Sequence, residues 1–294
     1  MQTTDRLKHQ TTGQAREIAG LDNLELPLRP RKSRIRRSWS AAWPQLAAVG
    51  IALAVWQLVV FLEVKPVWVL PGPLAVLPEL WHDLTRDTRL VESMATTLRR
   101  AAVGFALALV IGTLIGLAVT RFKLLRTAVA SLITGLQTMP SIAWFPLAIL
   151  LFGLTEQAMM FVVVLGAAPS VANGLIHGID HIPRILLRAG RVLGARKFDK
   201  YRFVILPAAL PSFVGGLKQA WAFAWRSLMA GELLVIIASQ PALGVRLQLQ
   251  REQSDAVALI GTMLVILAVG ILVDLVIFGT LERRIRARRG LGIA

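Results

Sequence analysis

The chain alternates long apolar runs with short clusters of charge. Six runs, at about 42–62, 98–119, 128–152, 158–176, 212–238 and 256–281, are each long enough to cross the hydrocarbon core of a bilayer, which takes roughly 20 helical residues. Helices are expected there because every backbone polar group must find its partner within the span. Residues 63–95 break the pattern: Pro66, Pro71, Pro73 and Pro78 interrupt it. Within them, Leu74-Ala75-Val76-Leu77 followed by Glu79-Leu80-Trp81 predicts a short helix along the membrane surface. Residues 177–207 form a basic loop too long for a plain connector, and a run of arginines from Arg283 to Arg289 closes the last span. The pattern predicts an all-α membrane protein with about six transmembrane helices.

Composition agrees with one membrane domain: 55% of the 294 residues are hydrophobic, 17% are charged, and the mean hydropathy is +0.62. The net charge is +16, and its placement reads as orientation. With the N-terminus inside, inside segments hold 24 Lys and Arg and outside loops hold 5. The positive-inside rule therefore predicts that both termini are cytoplasmic, and a prokaryotic plasma (inner) membrane is the expected location. Basic residues that flank apolar spans argue against nucleic acid as a partner. The expected divisions are a mobile basic cytoplasmic tail at 1–40, a first transmembrane helix with an external amphipathic segment at 41–95, a core domain at 96–282 with a cytoplasmic loop at 177–207, and a second basic tail at 283–294. No short apolar core with a cleavage site precedes the first span, so no signal peptide is expected.

Catalytic chemistry finds little support. The chain has no cysteine, and His9, His82, His177 and His181 all fall in predicted loops; His177 and His181 stand four apart, but no HExxH pattern surrounds them. Ser170 and Ser212 have no nucleophile elbow around them. There is no GxxxxGK[ST] motif to cradle a nucleotide. No enzyme, metal site or cofactor is expected in this chain.

The second run carries Gly104, Ala108, Gly112 and Gly116, a stripe that lets another helix approach closely, within the bundle or from a second subunit. In the third, Pro140 and Pro146 each interrupt the backbone ladder beside Gln137, Thr138 and Ser141. A kinked wall of a transport path and simple kinked packing both fit. The fifth holds Lys218, Arg226 and Glu232, and the sixth Asp274, and charges inside a membrane are functional candidates. At 100° per residue, Lys218, Trp221, Trp225 and Glu232 share one stripe, with Arg226 about 80° from Lys218. That stripe fits the wall of a water-accessible path. Alternatively, Lys218 snorkels to the cytoplasmic surface, Glu232 packs against a neighbouring helix, and Asp274 serves as an ion-pair partner. The candidates for the path are Met139, Pro140, Trp144, Trp221, Trp225, Arg226 and Glu232.

The basic loop carries the most specific pattern. Arg188-Ala189-Gly190 is followed by Gly194-Ala195, then nine residues after Gly194 by Val204-Ile205-Leu206-Pro207. This resembles the "EAA" loop of ABC importer permeases, with Arg188 where that family has Glu and Gly190 where it has Ala. Met139-Pro140-Ser141-Ile142-Ala143-Trp144-Phe145-Pro146 and Gly231-Glu232-Leu233-Leu234 are similar to the nitrate/sulfonate/taurine branch of the binding-protein-dependent transport family, as is Ala242-Leu243-Gly244 after the fifth run. The resemblance covers about residues 95–285. It implies a type I ABC importer permease fold and an ATPase-coupling loop built on Ala189, Gly190, Gly194, Ala195, Phe198, Tyr201, Leu206 and Pro207. It further implies two ATPase subunits that bind the ATP, a second permease (the same chain) and an extracytoplasmic substrate-binding protein. An aliphatic sulfonate is the expected cargo, with nitrate, taurine, bicarbonate and pyrimidine-type compounds as alternatives. The competing class is a stand-alone secondary transporter, which predicts inverted repeats and paired mid-span carboxylates. The sequence shows no such repeat and one mid-span carboxylate candidate.

Overall fold

The computed structural model describes residues 34–237 and 240–288, and every regular element among them is helical. Residues 1–33 and 289–294, where most of the expected N-terminal tail and the end of the C-terminal tail fall, lie outside the described residues. Helix α1, Arg34–Phe61, starts eight residues ahead of the expected first span, and its apolar part is Trp43–Phe61. Arginine is a good helix former, so the helix extends back into the basic stretch without penalty.

The rest of the chain begins with α2, Pro73–Arg86, a helix where the sequence predicts a short one. Pro73 stands in its first turn, where the missing N–H costs nothing. Asp87 then caps α3, Thr88–Arg121, by accepting from the Arg89 N–H. After α3 come α4 (Lys123–Thr138), α5 (Phe145–Phe152) and α6 (Glu156–Asp180). The loop region holds α7 (Arg184–Val192) and the single turn α8 (Lys197–Lys200). Helix α9 is Leu206–Leu234, α10 Leu243–Glu252, α11 Ala256–Val273 and α12 Gly279–Arg288. Wider π-turns at Tyr201–Ile205 and Asp274–Phe278 lead into α9 and α12. Among the described residues, five helices are long and apolar enough to cross a membrane, or six if the bent α4–α5 pair is one span.

Helix α6 is the centre of the bundle, packed on α3 and α9 through small residues. A Cβ on Gly112 would stand 2.5 Å from the Ala168 carbonyl oxygen, and one on Gly104 2.7 Å from Val163 Cγ1. The small-residue stripe of α3 is thus an internal contact with α6, the first of its two readings. On the other side, Gly174 of α6 crosses Gly216 of α9 so closely that an added Cβ on either would lie 2.5–2.7 Å from the other's Cα. Close approach of backbones replaces the hydrophobic driving force that lipid removes.

The third run is not one kinked helix. Helices α4 and α5 meet at 99°. Pro140 makes the break; Pro146 stands in the first turn of α5, where it interrupts nothing. Pro207 likewise opens α9 instead of stopping the preceding helix.

At one end of the bundle the tips of α3, α6, α9 and α10 are tied by a buried polar network. The Glu232 carboxylate accepts from Thr97 Oγ1 at 2.9 and 3.0 Å, from Arg100 Nη1 at 3.2 Å and from the Gly244 N–H at 3.0 Å. Arg100 also donates to Glu156 and Gln240, both at 2.9 Å. Arg246 of α10 donates to Asp83 and Asp87, each at 2.6 Å. Burial pushes the Asp87 carboxyl up, but Arg246 and the backbone N–H groups of Arg89 and Leu90 hold it below the usual carboxylate range. Helix α10 was not expected from the sequence, because its ten residues mix polar and apolar positions without a clear period.

Candidate translocation path and coupling loop

The faces of α9 assign its charges. Trp221, Trp225 and Glu232 do lie on one side, but it is the packed side. Trp221 stacks on Trp225 at 6.0 Å and meets Phe105 edge-on at 5.6 Å. Glu232 is fully buried in the network above, so the Glu232 end of the stripe is helix packing and not a water-lined wall. Lys218 forms an ion pair with Asp274 at 3.1 Å, bridging α9 to the π-turn after α11, and does not stand alone at the surface.

The open face of α9 carries Gly215, Gln219, Ala222 and Arg226, spaced by three or four residues. It is small and polar, whereas the open faces of α3 (Val103, Leu107, Val110, Leu114) and α11 (Met263, Leu267, Ile271) are large and apolar. Arg226 donates to the Ala222 carbonyl at 3.1 Å, and its guanidinium lies 4.7 Å from the Phe223 ring centre. Among the described residues no carboxylate stands within salt-bridge distance of it.

Arg226 borders two cavities. One, of about 300 Å³, lies at the α4–α5 break and is lined by Gln137, Thr138, Met139, Pro140, Ser141, Ile142 and Phe223. The other, of about 630 Å³, runs between α9 and α11 and includes Trp221, Trp225, Met229, Met263 and Leu267. Of the seven expected path residues, the structure brings Met139, Pro140, Trp221, Trp225 and Arg226 to these two spaces. Trp144 turns instead toward the cluster of Phe145, Ala148 and Met159, and Glu232 borders neither. Gln137 was noted from the sequence only as a polar neighbour of the break; it donates to Ser170 Oγ at 3.0 Å and accepts from Asn173 at 3.1 Å, fixing α4 to α6.

At the opposite end from the polar network, α7 closes in a turn that needs glycine. The Ala195 N–H donates to the Gly190 carbonyl at 2.9 Å and the Gly194 N–H to the Arg191 carbonyl at 3.1 Å, the paired bonds of a Schellman cap. Gly194 sits at φ +81°, and a Cβ on Gly190 would meet Val204 Cγ2 at 2.7 Å. The two glycines of the sequence pattern therefore have separate tasks: one makes the turn and one lets α7 lie against the start of α9. Past the turn the loop exposes apolar side chains to an unusual degree: Val192 is 87%, Leu193 85% and Phe198 71% exposed, with Tyr201, Phe203 and Leu206 also open. Val192, Leu193 and Phe203 were not among the expected loop residues; they flank the patterned positions and share their exposure.

A loop that pins its shape with two glycines, presents an apolar surface and follows a broken span is the arrangement the permease resemblance implies. The family described as "Binding-protein-dependent transport system inner membrane component" matches residues 108–287. The chain belongs to this family. Its relatives include the Bacillus subtilis protein named "Putative aliphatic sulfonates transport permease protein SsuC", 28% identical over 84% of this chain and 87% of its own length. The nitrate import permease NrtB of Synechococcus elongatus is 28% identical over 72% of this chain and 80% of its own length. The taurine transport permease TauC of Escherichia coli is 28% identical over 73% and 80%. The fold matches a chain of the inward-facing MetNI methionine ABC transporter with a TM-score of 0.56 at 22% identity, covering 67% of this chain and 96% of that one. The protein is an ABC importer permease of the nitrate/sulfonate/taurine branch, a multi-pass inner-membrane component with a type I permease fold.

Proposed function

We propose that this permease carries a small organic anion, an aliphatic sulfonate foremost, from an extracytoplasmic binding protein into the cell. Arg226 is the observation that carries the anion: a cation inside a span, on the open face of α9, with no carboxylate partner among the described residues. An ionised side chain in that position is costly unless a counter-charge arrives, and a desolvated anion supplies one. The 28% identity to the sulfonate-transport relative over 84% of the chain supports the same cargo.

Two copies of this chain enclose the path, and both termini are cytoplasmic, as the excess of inside Lys and Arg requires. Two ATPase subunits bind and hydrolyse the ATP, and this chain holds no cofactor of its own. The exposed Val192, Leu193, Phe198 and Tyr201 fill a groove in each ATPase, with Ala189, Gly190, Gly194, Ala195, Leu206 and Pro207 fixing the loop that presents them. Closure of the ATPases on nucleotide then biases the membrane halves between inward- and outward-facing states, a two-state element read by nucleotide at one end and loaded binding protein at the other.

Proteoliposomes containing permease, ATPase and binding protein test this reading. ATP-dependent accumulation of labelled butanesulfonate is the expected result. Accumulation of nitrate or taurine in its place would move the cargo to that compound. Accumulation without ATP would refute coupling.

A further inference from the structure

Arg226 is shared by two cavities of opposite character, and that juxtaposition specifies a cargo more closely than charge alone. The smaller space, at the α4–α5 break, offers the Ser141 hydroxyl, beside Thr138 and Gln137, whose polar groups also bond to Gly135, Ser170 and Asn173. The larger is walled by Trp225, Met229, Met263, Leu267 and Ile271 and lies in the size range of pockets that hold small organic ligands. Resting on the anion reading above, we propose that Arg226 holds the acidic head of the cargo at the broken span while its carbon tail lies in the cleft between α9 and α11. The substrate class is an organic anion with a single strongly acidic group and an apolar tail of several carbons.

The other charges in the cleft support one acidic group and no more. Asp274 borders the cleft but is already matched by Lys218 at 3.1 Å, so Arg226 is the unmatched charge. A second anionic group at the tail end would find no further unmatched cation among the lining residues, because Lys218 is already paired with Asp274. An ammonium two carbons from the head, as in a zwitterion, would leave water for a largely apolar wall, a cost that cation–π contact with Trp225 offsets only in part. Nitrate matches Arg226 but leaves the larger space without a ligand. Thioether and indole side chains suit a flexible hydrocarbon chain, because methionine adapts to irregular shapes.

The test uses the permease–ATPase complex in nanodiscs, without the binding protein, whose own selectivity would mask that of the cleft. Tritiated hexanesulfonate is the probe, read by scintillation proximity. Saturable binding is expected, and competition by unlabelled propane-, butane- and hexanesulfonate should strengthen about fourfold per methylene, the order set by burying a CH₂. Arg226→Gln should weaken hexanesulfonate at least tenfold, Arg226→Lys less. Met263→Gln should flatten the chain-length series, weakening hexanesulfonate more than ethanesulfonate. Equal melting temperatures of the variants and wild type exclude misfolding as the cause. If chain length has no effect and nitrate competes as well as hexanesulfonate, the two-cavity proposal falls while the anion reading stands. If hexylammonium competes equally, or Arg226→Gln changes nothing, the anion reading falls with it. Non-saturable uptake of probe, equal in all variants, is partition into lipid and overturns the proposal.

Discussion

Arg99 and Arg100 are adjacent in the chain, both contact Glu156, and the structure assigns them opposite weights. Arg99 is 62% exposed and reaches Glu156 at 3.3 Å, whereas Arg100 is 2% exposed and is held by Glu156, Glu232 and Gln240. An exposed pair contributes about 0.2–1 kcal/mol, so Arg99→Ala should be nearly silent. Arg100→Ala leaves the fully buried Glu232 carboxylate with only the Thr97 hydroxyl and the Gly244 N–H. Breaking a buried pair on one side costs roughly 3–5 kcal/mol, because the remaining charge is uncompensated. At about 2–4 °C per kcal/mol for a chain of this size, the melting temperature should drop by roughly 6–20 °C. The assay is thermal inactivation of the nanodisc-embedded complex at one fixed scan rate, since membrane assemblies unfold irreversibly. Arg100→Ala/Glu232→Leu should recover part of the loss, because it removes the orphaned charge. Equal melting temperatures for the Arg99 and Arg100 variants would refute the network as a buried latch.

Other expectations follow from the packing and the loop. Gly216→Val should abolish accumulation of folded permease, because its side chain would collide with the Gly174 backbone, while Gly215→Ala should be tolerated, since nothing lies within 4 Å of its Cβ; fluorescence-detected size exclusion separates the two. Gly194→Val places a β-branched residue at φ +81° and should cost about 1–2 kcal/mol locally, disordering the loop cap. ATP-driven uptake should fall sharply with the membrane fold intact, and full uptake by this variant would exclude the loop from coupling. The Asp87–Arg246 contact should contribute stability above the ordinary carboxylate value of about 3.9 and lose it as pH falls through the depressed folded value. Wild type should therefore exceed Asp87→Asn in melting temperature at pH 5–7, with the gap closing in stronger acid.

The spans were legible because each is a long apolar run with charge at its ends, and the loop was legible because its glycines stand at a fixed distance from Pro207. What periodicity could not supply was the direction each face of α9 looks. Trp221, Trp225 and Glu232 read as a polar and aromatic wall, yet helix packing turns them inward, and Arg226, 80° around from Lys218, marks the open side. Hydropathy weighs a glutamate as exposed wherever it falls, so it cannot detect that Thr97, Arg100 and Gly244, remote in sequence, supply Glu232 with partners. Arg100 was passed over for the same reason, as a residue at the end of a span. The two prolines of the third run looked equivalent; only the backbone shows that Pro140 breaks the span and Pro146 starts the next helix. The polar segment after α9 hid α10, whose register is set by Gly244 and Arg246 contacts and not by an apolar face.

The central claim is that the loop at 177–207 is where ATPase subunits engage this permease. The chain has no cysteine, so a single engineered thiol reports one position. Phe198→Cys, 71% exposed at the tip of the loop, should form a short-span cross-link to the ATPase in native membranes, with a yield that changes on adding ATP. Gln248→Cys, on α10 at the opposite end of the bundle, should form none. Cross-linking to the ATPase from Gln248→Cys but not from Phe198→Cys would contradict the account.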